Sequence, residues 1–246
     1  MEQLPQFELR RFVRLVRTEG FASAINDVRS RKGLIGGNDI EREVLITGCG
    51  SSGTTFLGEL MNYNGIPITH DYFLGQYGIV SNACVRGEVW VYDYDRHGNK
   101  DFVMMKLPVE GFRKVIHVVR HPLKVIGSVQ MKWDTWGHVW PHAIAGMESF
   151  DHSQPNSLLN ASRYWLEWNE QVEPVAHKRF IFEELAKDPK PLFEYCGERL
   201  NRLMPKDKKS GQSYVKKYPE WDEIAAVDAD LAERIKAKAR EYGYEV

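Results

Sequence analysis

Cysteine is scarce in this chain: Cys49, Cys84 and Cys196 are its three thiols, and no C-x-x-C spacing joins them. That argues against a zinc site or a disulfide framework and fits a reducing compartment. An excess of charge of one sign is lacking too. The balance of 33 Lys and Arg against 34 Asp and Glu leaves a net charge of −1, so no overall field draws nucleic acid or an anionic membrane, and any anion site must be local. No stretch approaches the ~18 apolar residues of a membrane span, and residues 1–12 are polar and charged without the apolar centre of a leader. The expectation is a soluble, cytoplasmic protein with neither nucleic-acid nor membrane partner. Internal repeats and low-complexity segments are also missing.

What is present reads as globular. The 246 residues suffice for one substantial core, and 43% apolar with 27% charged residues is ordinary for a folded domain. We expect a single domain over 1–246, with a helical extension over 1–40, a core over 41–205, and a loop and helix over 206–246. Residues 6–18 and 22–29 carry helical patterns, and the glycines of 32–39 mark a boundary. Apolar strands are predicted at 43–48, 66–69, 114–119 and 179–182, with helices over 53–63, from Pro122, over 158–175, 191–203 and 229–242. Strand-like runs at 88–94 and 101–107 flank a turn and imply a hairpin or a widened crossover. This alternation predicts a three-layer α/β domain with a mostly parallel central sheet flanked by helices, and ligands at the carboxyl ends of its strands.

The most informative segment runs from Glu43 to Leu57, where an apolar strand enters the turn Gly48-Cys49-Gly50-Ser51-Ser52-Gly53-Thr54-Thr55 and then a helix. Glycines let successive N–H groups face one concavity, and the helix adds its positive end, so the turn is a phosphate cradle. The spacing fits the P-loop pattern G-x-x-x-x-G-K-S/T, but Thr54 stands in the lysine position. A triphosphatase needs that lysine, and it needs an acidic magnesium ligand after its second key strand; here strand 114–119 ends in Arg120. Phosphates are therefore expected to be held directly by backbone, hydroxyls and arginine, whose fork suits a terminal phosphate.

Two motifs make the chain resemble the sulfotransferases that use 3′-phosphoadenosine 5′-phosphosulfate. A strand followed by K/R-S-G-T-T is matched by Ser51-Ser52-Gly53-Thr54-Thr55. A strand followed by R-x-P, with a serine eight residues after the arginine, is matched by Arg120-His121-Pro122 and Ser128. Lys106-Leu107-Pro108 and Phe182-Glu183-Glu184-Leu185 are weaker likenesses. The resemblance implies a P-loop-like fold and transfer of a sulfuryl group from that donor to a hydroxyl or amine of a small-molecule or glycan acceptor, with no metal required. It implies that Gly50, Ser51, Ser52, Gly53, Thr54 and Thr55 hold the 5′-phosphosulfate, that Arg120 and Ser128 hold the 3′-phosphate, and that Phe56 lies against adenine or else in the core.

Relatives carry a lysine or arginine where this chain has Ser51. A lost cation at developing charge costs a few kcal/mol, roughly 10²-fold or more in rate, so either another cation substitutes or catalysis is weak. Lys106 is the expected substitute, ahead of His121. His70 leads as general base, because the short strand before it should deliver it to the strand-end face. The run from Trp133 to His142, with three tryptophans and two histidines, is an acceptor loop or a packed cap; Pro141 argues against a metal pair in it. The basic segment Lys208-Lys209-Ser210-Gly211 either meets the 3′-phosphate or is a solvated loop. Alternatives are a kinase-like phosphotransferase and a nucleotide-binding module with weakened catalysis. Oligomeric state is not legible.

Overall fold

The structure, a computed structural model, describes residues 42–70, 77–82, 84–85, 88–93, 103–136, 157–204 and 217–246; at 84–85, 88, 90–93, 103–107 and 133–136 it describes the backbone path alone. The expected helices within 1–40, the run 137–142 and the segment 208–211 lie outside these residues.

Val44, Leu45 and Ile46 are fully buried in strand β1 (Arg42–Thr47), which sits at the centre of a five-stranded sheet. Its other members are β2 (Ile68–His70), β3 (Gly78–Ser81), β7 (Phe112–Val119) and β8 (Lys178–Ile181), in the order β2-β3-β1-β7-β8. Every pairing is parallel, for instance Leu45 with Ile79 on one side and with Val115 on the other. A parallel strand buried on both faces reads as a continuous apolar run, which is why β1 and β7 are plain in the sequence.

The two-residue period of the strands sorts their side chains into two cores. Val44, Ile46, Ile116 and Val118 pack with Leu57, Leu60 and Met61 of helix α1 (Thr54–Tyr63) and with Leu192 and Phe193 of α5 (Lys190–Cys196). Leu45, Val115 and Val119 face the other way. They meet Val125, Ile126 and Val129 of α2 (Pro122–Trp136) and Tyr164, Trp165 and Trp168 of α3 (Ser157–Val172). Leu231 and Ile235 of α7 (Ala229–Glu241) join this second core, and the Asp228 carboxylate caps α7 by accepting from the Leu231 N–H at 2.9 Å. Each large apolar side chain so buried contributes roughly 1.5–3 kcal/mol against chain entropy. Helices thus cover both faces of a parallel sheet, the three-layer α/β class that the sequence predicts. His117 is buried against α3, its Nε2 2.8 Å from Asn169 Oδ1, and burial lowers its pKa to about 4, leaving a neutral ring.

Several boundaries differ from the sequence-based expectation. β3, which separates β1 from β2, was not anticipated. The helix predicted over 191–203 ends at Cys196, because Gly197 takes φ of 81° and stops it; residues 198–204 follow an irregular path. Trp133 to Trp136 continue α2 instead of opening a loop. The runs around 88–94 and 101–107 do pair antiparallel, as β5 (Glu88–Asp93) and β6 (Val103–Pro108), but with β4 (Cys84–Val85) they form a separate three-stranded sheet. Two short helices, α4 (Phe182–Leu185) and α6 (Trp221–Val227), were not expected either. Among the described residues no helix is long and apolar enough to cross a membrane.

Candidate anion-binding site

From β1 the chain builds outward to β2 and later returns to place β7 on the opposite side, so the carboxyl ends of β1 and β7 flank a topological switch point. The turn 48–53 leaves β1 there. The Ser52 N–H donates to Cys49 O at 2.9 Å and closes the turn, while the Gly50 N–H donates to the Tyr164 hydroxyl of α3 at 2.7 Å. Cys49 is fully buried, 3.2 Å from Ser52 Oγ, and burial pushes its thiol up to about 12; it is therefore a neutral packing group, not a nucleophile.

Gly53 ends the turn at φ of 92°, and a Cβ placed on it would overlap the Phe182 ring. Only glycine meets both demands. Helix α1 then begins with no side-chain cap and no acidic residue in its first turn. Its leading N–H groups have no intrahelical acceptors and point out of the helix end with the positive pole of the dipole. The hydroxyls of Thr54 and Thr55 stand beside that end, 3.0 and 3.3 Å from His70 Nε2 at the end of β2.

Ser51 is the meeting point of two cations. Its backbone adopts φ of 75°, the one positive φ at a non-glycine residue described. Arg120, immediately after β7, donates from Nη1 to Ser51 O at 2.7 Å, and Lys132, on α2, donates from Nζ to Ser51 Oγ at 2.9 Å. Burial lowers the Lys132 pKa to about 8, with the charge of Arg120 acting in the same direction. The Arg120 guanidinium also lies 5.3 Å from the centre of the Phe182 ring, and its Nε is buried without a hydrogen-bond partner. A buried donor left unspent beside uncapped N–H groups fits an anionic ligand.

On α2, Lys124, Ser128 and Lys132 recur every fourth residue and so share one face. Ser128 Oγ donates to Lys124 O at 2.8 Å, and no hydrogen bond joins it to Arg120. Lys124 pairs with Glu183 at 3.3 Å; the same carboxylate accepts from the His121 N–H at 3.3 Å and from the Tyr244 hydroxyl at 2.9 Å. Burial alone would raise Glu183, but the Tyr244 hydroxyl, nearby N–H groups and Lys124 together hold it below the usual carboxylate range.

The fold thus brings the turn, His70 and Arg120 to one place. It does not leave every expected donor free: the Ser52 side chain is fully buried and turned onto Cys49, and the Gly50 N–H is spent on Tyr164. Both differ from the expectation of ligand contact. Phe56 packs in the α1-side core, its ring 5.9 Å from Phe182 in an edge-on arrangement. Lys106 lies in β6, paired with Trp90, and its side chain falls outside those described. Lys132 was missed, although its spacing of four from Ser128 put it on the same helical face. Among the described residues no group of three or more His, Cys, Asp or Glu side chains could hold a metal.

No family model matches this chain. A search of curated proteins also finds no match. Among solved structures, a sulfotransferase from Alicyclobacillus acidocaldarius aligns over 81% of this chain and 96% of its own, with a TM-score of 0.45 and 12% sequence identity.

Proposed function

We propose that this protein is a sulfotransferase that uses 3′-phosphoadenosine 5′-phosphosulfate. The observation that carries the proposal is the convergence of Arg120 and Lys132 on Ser51, at 2.7 and 2.9 Å, beside the uncapped start of α1. Such a site offers an anion two cations and several N–H groups where a triphosphatase would present a lysine in the loop and an acidic metal ligand. The motif pair around Ser51–Thr55 and Arg120–Ser128 favours a donor phosphorylated at both ends of its nucleoside.

When bound, the donor supplies an activated sulfuryl group. The N–H groups from Gly53 to Thr55 and the hydroxyls of Thr54 and Thr55 would receive its 5′ end, and the unspent N–H groups of Arg120 its 3′-phosphate. Ser128 would join by exchanging its bond to Lys124 O for one to phosphate. Phe182, already under Arg120, offers the adenine an aromatic face alongside Phe56. His70, whose Nε2 lies 3.0 and 3.3 Å from the Thr54 and Thr55 hydroxyls, would take the proton of an attacking hydroxyl. In balance, an acceptor oxygen forms a bond to sulfur, the bond from sulfur to the bridging oxygen breaks with its electron pair left on phosphate, and the acceptor proton goes to base. A small-molecule or glycan acceptor fits this chemistry.

Turnover of sulfur-labelled donor with a panel of hydroxyl and amine acceptors tests the proposal. The expected result is label transfer that persists in EDTA. Phosphate transfer from ATP that requires magnesium, with none from the sulfuryl donor, would overturn it in favour of a kinase-like enzyme. Nucleotide binding without turnover would indicate a silent binding module.

A further inference from the structure

The loop position occupied by Ser51 carries no charge of its own, yet a charge stands there. Lys132 reaches it from α2 and places its ammonium 2.9 Å from Ser51 Oγ. The placement is costly. A partly buried ammonium beside the Arg120 guanidinium loses hydration and meets a like charge, and its pKa falls accordingly. Two cations facing one hydroxyl and one carbonyl are poorly matched to each other but well matched to a ligand that brings anionic groups to both. Neither Lys124, held by Glu183, nor His121, whose pKa burial lowers, supplies charge to that point.

We propose that Lys132 is a catalytic residue of the transfer: it supplies to the loop the cation that Ser51 lacks and stabilises the negative charge that develops on the departing phosphate oxygen. The cation has moved from the loop to a neighbouring helix. Its hydrogen bond to Ser51 Oγ holds it in register with the cradle, so serine at position 51 serves as the anchor for the ammonium. In this role the Lys132 ammonium adds to the N–H groups at the start of α1 in stabilising the departing oxygen.

The inference rests on the sulfuryl-transfer function proposed above, and two readouts keep the failures apart. The first is independent of turnover. Lysines of the whole protein are labelled by reductive methylation with and without adenosine 3′,5′-bisphosphate, and labelling at position 132 is read by mass spectrometry. Bound bisphosphate should slow labelling of Lys132 at least tenfold. Binding of bisphosphate, seen by calorimetry, with no protection at 132 would overturn the role of Lys132. The absence of any bisphosphate binding would overturn the donor assignment itself, and this proposal with it.

The second readout is a cycle of variants. Lys132→Ala and the stem-preserving Lys132→Met should lower the transfer rate roughly 10²-fold, the usual effect of losing one stabilising group at developing charge. Bisphosphate affinity should change less than tenfold. Adding Ser51→Lys to Lys132→Ala should restore at least tenfold of the rate by returning the cation to the loop. Wild-type rates in both Lys132 variants would overturn the proposal. So would loss of bisphosphate affinity in proportion to rate, because that pattern marks a residue that only binds.

Discussion

Ser51 combines a left-handed backbone with two cationic partners. The conformation costs on the order of 1–2 kcal/mol at a residue with a Cβ, and the bonds from Arg120 and Lys132 hold it in place. Lys132 is expected to set the alkaline limb of the site's pH dependence. Among the described residues, the charged and titratable groups that act on its ammonium are Arg120 at the end of β7 and Cys49 in the turn, whose thiol is held neutral up to about 12. With a pKa lowered to about 8, Lys132 is charged below that pH and neutral above it. The kcat/KM for transfer should therefore fall as pH rises through about 8, and in Lys132→Arg the fall should disappear, because guanidinium stays protonated. An identical alkaline limb in both proteins would show that another group titrates there. The identity of Lys132 was open to sequence reading by helical spacing. Its contact with Ser51 was not, since 81 residues separate the two.

At the level of elements, the strand, turn and start of α1 form one unit that Phe182 closes from the end of β8. Gly53 is its hinge: φ of 92° and the Phe182 ring both exclude a side chain. Gly53→Ala should cost about 1–3 kcal/mol in backbone strain and a similar amount in overlap, read as a fall in thermal midpoint. Combining it with Phe182→Ala should remove the overlap portion and leave the strain, so the two changes should not add. Full additivity would mean that the ring and the glycine do not meet. This unit was legible because its signals are local: an apolar run, clustered glycines, then helical spacing. β3 was not. Its four residues Gly-Ile-Val-Ser carry no periodicity of their own, and their strand state comes from pairing with β1 and β2. The overrun of α5 has the opposite origin, since apolar spacing continued past Gly197 while that glycine's backbone ended the helix.

Across the whole molecule, a chain with a net charge of −1 concentrates positive charge where four parallel strands end. β1 gives the turn, β2 gives His70, β7 gives Arg120 and β8 gives Phe182 and Glu183, with Tyr244 from the C-terminal segment fixing the last of these. The three-layer class was readable from the rhythm of elements, because two-faced burial writes itself into β1 and β7. The assembly of the site was readable only where a motif stood for it. The bond from Gly50 to Tyr164 spans 114 residues, and nothing near either end announces it.

The most direct measurement is a calorimetric titration of adenosine 3′,5′-bisphosphate, in EDTA, into the wild-type protein and into Arg120→Ala. One-to-one binding that Arg120→Ala weakens by about 10- to 100-fold is predicted, the cost of about 1.5–3 kcal/mol for a hydrogen bond to a charged group. No binding at high micromolar ligand, with Arg120→Ala behaving like wild type, would contradict the assignment of this cleft to a 3′-phosphorylated nucleotide.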